Sequence, residues 1–201
     1  MTATATLHKE YLTCAETAKL VRKALKRDYP GVKFTVRSKT YAYGASINVG
    51  WTDGPTSAQV KPLLDSFEGA GFDGMIDLKF YIQHYVRDGE ILGTRSAGTV
   101  GNAGVYPAWD DGPFEGAEIV HMGADFIHGD REYSSEFLER MVDETCAYWG
   151  IAEKPAVTVS KYDGSGYLDV SDGAALAIPA NAGGRDNVAQ LVRRHAQGVA
   201  A

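Results

Sequence analysis

The chain has 201 residues, 44% of them hydrophobic and 23% charged, with a formal net charge of −6. That length can bury a real core, and 23 Gly with 7 Pro are too few for a low-complexity or collagen-like chain. No apolar run approaches the roughly 18 residues of a membrane span, and two cysteines, Cys14 and Cys146, make neither a disulfide framework nor a four-thiolate metal site.

The opening residues lack a basic-then-apolar leader with a cleavage site, so a reducing cytoplasm is the expected compartment and no membrane partner is expected. Charge is unevenly spread. Residues 1–61 carry ten Lys and Arg against four acids, 62–153 five against eighteen, and 154–201 five against four. A basic end followed by an acidic middle can steer partners of opposite sign to different faces.

The first periodic segment spans 11–29. Cys14, Ala18, Val21 and Leu25 recur at helical spacing on one face, with Lys19, Arg22, Lys23, Lys26 and Arg27 on another, and Pro30-Gly31 stops the helix. Over 33–39 the pattern alternates, with Phe34 and Val36 on one side and Lys33, Arg37 and Lys39 on the other. Residues 46–51 alternate again, with Ile47, Val49 and Trp51 apolar, so the two strands read as a hairpin. The helix is expected on its apolar face, so the basic helix and basic strand need not merge.

Asp53-Gly54-Pro55 is a turn, and Thr56 to Gln59 matches a capping box for a helix carrying Val60, Leu63, Leu64 and Phe67. Pro62 predicts a kink or a late start. Residues 72–77 read as a tight loop, 80–86 as one strand, and 87–90 as the turn of a second hairpin. Glycines crowd 93–104, a loop and the one candidate hinge. A strand is expected within 118–128, then a helix capped by Ser134 and ended by Gly150. Short strands follow at 156–160 and 167–170, a small-residue loop at 174–184, and a last helix from Asp186 with Val188, Leu191 and Val192 on one side. Strands joined by hairpins with helices between them predict an α+β fold, an antiparallel sheet with helices packed on one face. We read 1–201 as a single domain with a C-terminal lobe at 151–201. The pair Trp51-Thr-Asp-Gly-Pro55 and Trp109-Asp-Asp-Gly-Pro113 is reused turn chemistry rather than a duplication.

No nucleophile elbow, zinc-protease helix or phosphate loop occurs. His121 and His128 are seven apart, an odd spacing that puts them on opposite faces of a strand, so they are not a metal pair. Both cysteines fall on apolar helix faces and read as packing. Asp163-Gly-Ser-Gly-Tyr-Leu-Asp169 fails as a calcium loop because Leu168 stands where glycine is required. The chain therefore reads as non-catalytic, with no cofactor and no metal. Its best chemical signal is cationic: Lys19, Arg22, Lys23, Lys26, Arg27, Lys33, Arg37 and Lys39 can track phosphates, with Tyr41 and Tyr43 as stacking faces and Trp51 in the core. Asp53, Asp73 and Asp77 read as turn residues.

The blocks Val36-Arg-Ser-Lys-Thr, Ser46-Ile-Asn-Val-Gly-Trp-Thr-Asp-Gly-Pro55, Phe67-Glu-Gly and Phe72-Asp-Gly-Met-Ile-Asp77 resemble the large polyvalent protein-associated domain that is number twenty-nine of its series. The likeness covers about 15–80, with an echo at Tyr148-Trp149-Gly150. It implies an accessory protein of a phage or mobile element acting in the bacterial cytoplasm, and it brings no catalytic residues. Two partners fit that company: nucleic acid, held by the basic helix and strand, or a host defence or DNA-binding protein, held and inhibited by the acidic middle.

Overall fold

The computed structural model describes residues 9–96, 98–99, 117–160, 162, 165–169, 175–178 and 192. Its elements run β1 (Lys9–Tyr11), α1 (Cys14–Asp28), β2 (Phe34–Tyr41), β3 (Gly44–Thr52), α2 (Ser57–Asp65), β4 (Ala70–Asp73), β5 (Leu78–Tyr81), β6 (Gln83–Arg87), β7 (Glu90–Arg95), β8 (Glu118–His121), β9 (Phe126–Glu132), α3 (Ser135–Trp149), β10 (Ala156–Val159), β11 (Gly166–Asp169) and β12 (Ala175–Ile178). The class is α+β, and the strands divide among four sheets, ordered β1-β8-β6-β7, β2-β3-β9, β10-β11-β12 and β4-β5. By compactness the chain forms two units, one of Met1–Asp28, Val36–Val49 and Pro62–His128, the other of Tyr29–Thr35, Gly50–Lys61 and Gly129–Ala201.

In the first unit, α1 buries Cys14, Thr17, Ala18, Val21 and Leu25, the face its periodicity gives it. It starts three residues later than the apolar pattern, because Thr13 and Glu16 form a capping box. Thr13 N–H donates to Glu16 Oε2 at 2.8 Å, and Glu16 N–H donates to Thr13 Oγ1 at 3.3 Å. Tyr11 instead lies in β1, which pairs in parallel with β8. The Thr17 hydroxyl accepts the Gly123 N–H at 2.9 Å, and the Cys14 thiol points at the Ser46 carbonyl at 3.5 Å. Two residues connect the hydrogen-bonded neighbours β2 and β3, which makes them the expected hairpin.

The expected strand over 80–86 is two strands. It breaks at Ile82, whose N–H donates to the Gly69 carbonyl, so β5 pairs back onto β4 while β6 joins β7 and β8. The β6–β7 turn is Asp88-Gly89 with φ of 54° and 80°, the type I′ geometry of a tight hairpin. Gly93 belongs to β7, opposite Tyr85, rather than to a loop. Thr94 and Arg95 also lie in β7, and Gly98 N–H donates to Ser96 Oγ at 2.9 Å; residues 97 and 100–104 of the stretch lie outside the described residues. The strand expected within 118–128 is likewise two, β8 and β9.

Gly71 explains itself by its cross-strand partner. A Cβ built there falls 2.3 Å from the buried Phe80 ring, which covers the glycine across the β4–β5 pair. Gly71→Ala forces that ring off its position, and chemical denaturation should show a loss of about 1 kcal/mol, the lower range for overpacking.

In the second unit, α3 carries the core of Tyr133, Leu138, Val142 and Cys146, against which Val157 and Val159 of β10 pack. Ser134 caps it by accepting the Phe137 N–H at 3.1 Å, and Gly150 ends it at φ 65°, as the sequence predicts. Of the last helix, only Val192 is described; it is helical and buried in that same core. The small-residue segment read as loop at 174–184 contains β12, which pairs with β11 over Ala175–Ile178. Gly and Ala crowd around the run in the sequence and hide the strand, and the backbone ladder with β11 decides it.

The Trp51–Pro55 block is a corner of this unit. The Trp51 indole N–H donates to the Pro55 carbonyl at 2.8 Å, and Asp53 and Gly54 are both left-handed, at φ 58° and 59°. The Asp53 carboxylate accepts the Ser134 N–H at 2.8 Å and its hydroxyl at 2.7 Å, tying the corner to the N-terminus of α3. The Thr56–Gln59 capping box forms as predicted, and α2 begins directly at Ser57 with Pro62 inside it, not late.

Candidate nucleic-acid interface

Five of the predicted cations lie on α1. Lys19, Arg22, Lys23, Lys26 and Arg27 are all exposed, opposite the buried face. Arg37 and Lys39 are exposed on β2, sharing a strand face with Tyr41 because side chains alternate along a strand. Lys33 is exposed just before β2, in the other unit.

One hydrogen bond ties the basic helix to the backbone of the basic strand. Arg22 Nη2 donates to the Val36 carbonyl at 2.5 Å, so the helix's cationic side meets β2 one residue before Arg37. Beyond Val36, every residue of β2 is exposed. Among the described residues the order β2-β3-β9 makes it an edge strand, exposed on both faces beyond Val36.

The eight cations are not equivalent. Arg22 is spent on the Val36 carbonyl. Arg27 is held by Asp28 at 2.5 Å and faces Glu90 at 3.7 Å, so its guanidinium is held above its usual range by the Asp28 carboxylate. Lys23 and Arg27 line a cleft of about 790 Å³ that Asp28, Asp88 and Glu90 also line, so that cleft has no single sign of charge. Among the described residues, no salt bridge engages Lys23, Lys26, Arg37 or Lys39. With Lys19 near the Glu16 carboxylate and Lys33 in the other unit, these four are the cations of this unit best placed to meet phosphates.

A second surface in the same unit extends the two tyrosines singled out in the sequence, Tyr41 and Tyr43, by two more. Tyr11, Tyr41, Tyr43 and Tyr81 are exposed, Tyr43 completely. Tyr11 and Tyr81 flank His121, with ring centroids at 5.7 and 5.6 Å. Lys79 Nζ lies 5.2 Å from the Tyr81 ring centre and donates to the Tyr43 carbonyl at 3.3 Å and to Asp125 Oδ2 at 3.1 Å. Burial lowers the Lys79 pKa, but the hydrogen bond and charge of Asp125 outweigh it and leave it raised. No periodicity could have found this surface, because its residues come from β1, the β2–β3 turn, β5 and β8. Tyr11 and Tyr81, taken alone, read as core.

The cysteines keep their structural role. Burial raises both thiols above their ordinary pKa, which leaves neither ionised as a nucleophile. Asp73 accepts the Met75 N–H at 3.0 Å and the Thr99 hydroxyl, and Asp77 sits at φ 55°, so both serve the β4–β5 connection as turn residues. Among the described residues no helix is long and apolar enough to cross a membrane. A family model, Large polyvalent protein associated domain 29, matches residues 12–134. No curated protein and no solved structure matches the chain.

Proposed function

The chain belongs to the large polyvalent protein associated domain 29 family, a domain of polyvalent proteins of phages and mobile elements, and from that premise we propose that it is a non-catalytic accessory protein that binds nucleic acid through α1 and β2. The observation that carries this reading is the Arg22–Val36 bond, which ties the basic helix to the basic strand, an edge strand among the described residues. Phosphate contacts made by Lys and Arg supply most sequence-independent affinity, and this surface offers cations that no salt bridge among the described residues engages at Lys23, Lys26, Arg37 and Lys39. The bacterial cytoplasm, where such DNA is handled, is the compartment we propose for it.

Charge reversal at Lys23, Lys26, Arg37 and Lys39 tests the interface without touching the fold. Arg22 is left intact, since its loss would strip the Val36 carbonyl of its partner. The quadruple Glu variant should lose DNA affinity by at least about a hundredfold in a fluorescence anisotropy titration, while its thermal midpoint stays near that of the unaltered protein. Undiminished binding would sink the interface.

A second reading has its own observation. Glu136, Glu139, Asp143 and Glu144 stand exposed along α3, with Tyr148 and Trp149 exposed at its end, an acidic helix suited to a basic host protein. Reversing Glu139 and Glu144 is the matched control: it leaves DNA binding in place if the first reading holds.

A further inference from the structure

We propose that the β2–β3 turn and the tyrosines beside it form a stacking platform for single-stranded nucleic acid. The proposal rests on the nucleic-acid reading above and narrows it to one form of nucleic acid.

Tyr43 is the starting point. It is 100% exposed, so its ring packs against nothing, and its φ is 68°, a left-handed conformation that Gly or Asn adopts more cheaply. A bulky aromatic there serves neither the turn nor the core, and strain kept at an exposed position points to use. Lys79 braces the turn through the Tyr43 carbonyl and leads to Tyr81, which is 59% exposed. Between Tyr43 and Tyr81 lies a hollow of about 430 Å³, floored by Gly44 and Ala45. Past Tyr81, His121 and Tyr11 continue the row.

The opposite end of this row is cationic. Arg37, Lys39 and Tyr41 share one face of β2 and lead straight into the turn. The Tyr41 ring lies close over Gly44: a Cβ built there falls 2.8 Å from it. Exposed rings interleaved with Lys and Arg match a strand whose bases stack while its phosphates are neutralised. A duplex buries its base faces, so the same rings gain nothing from it beyond the phosphate term.

The test compares a fluorescein-labelled thymidine oligonucleotide of roughly 20 nucleotides with a hairpin duplex of equal length, a span that single-strand-binding grooves cover. The Tyr43→Asn/Tyr81→Ser variant keeps the left-handed turn and removes both rings. We expect it to bind the single strand at least about tenfold more weakly, with duplex binding changed less than about twofold, while Tyr43→Trp/Tyr81→Phe retains single-strand affinity. If the ring-deleted variant binds both forms as the unaltered protein does, and the quadruple charge reversal still abolishes binding, the platform is wrong and the nucleic-acid reading stands. Equal weakening on both forms also overturns the platform. If the unaltered protein binds neither form at low salt, both fail together.

Discussion

Arg131→Ala should lower the unfolding free energy by about 3–4 kcal/mol. Arg131 is 5% exposed, at the end of β9. Its Nε donates to the Asp53 carbonyl and its Nη2 to the Gly54 carbonyl, each at 3.0 Å. Its guanidinium lies 4.7 Å from the Tyr133 ring centre and 5.4 Å from that of Phe137. Truncation strips both left-handed corner residues of their donor and leaves a void against two rings. Lysine restores the charge but not the fork, so Arg131→Lys should recover less than half of the loss. Urea denaturation of the three proteins at neutral pH measures this. Equal stability for the alanine variant and the parent would show that the corner is held by other contacts.

The second large effect depends on pH. His84 on β6 is 1% exposed, and among the described residues neither ring nitrogen has a partner in hydrogen-bond geometry. Burial is the main cause, with the nearby His121 charge second, that lowers its pKa to about 4, against weak support from the Ser66 and Val120 carbonyls. The unfolded imidazole takes its proton near pH 6.5, the folded one only near 4. Between those values the unfolded chain binds the extra proton, so stability is intact above pH 6.5 and falls as pH drops toward 4. The full loss from this one group is about 3 kcal/mol. His84→Leu removes the titration and two unpaired polar atoms, so it should be near neutral at pH 7 and should flatten the decline. Denaturation at pH 7, 5.5 and 4.5 gives the comparison. A decline as steep in the leucine variant as in the parent would place the acid sensitivity elsewhere.

What the sequence made legible were the local devices. The Thr56–Gln59 and Ser134 caps, the Gly150 stop, the Asp88-Gly89 turn and the apolar stripe of α1 all depend on residues within a few positions of one another. The errors came where distant segments decide. Whether Tyr11 continues α1 or pairs with His121 depends on β8, over a hundred residues away, and periodicity carries no record of that pairing. Residues 80–86 read as one strand because every one of them suits a strand; the break at Ile82 is set by the Gly69 carbonyl. The same division runs through the candidate site. The cations were visible as a stripe and an alternation, but which of them are committed was not, since Arg22 answers to β2 and Arg27 to Glu90 on β7. Tyr41 and Tyr43 were legible as stacking faces beside the basic strand, but Tyr11 and Tyr81 were not: an aromatic ring is the usual mark of a core, and only the fold shows those two outside it.

The most direct measurement is the affinity of the full chain for a single-stranded oligonucleotide across a salt series from about 50 to 300 mM. Four phosphates neutralised by Lys23, Lys26, Arg37 and Lys39 give a slope of log affinity against log salt of about −3, and the quadruple reversal should leave no measurable binding. Affinity that ignores salt, or that survives the reversal, would contradict the claim that these two elements bind nucleic acid.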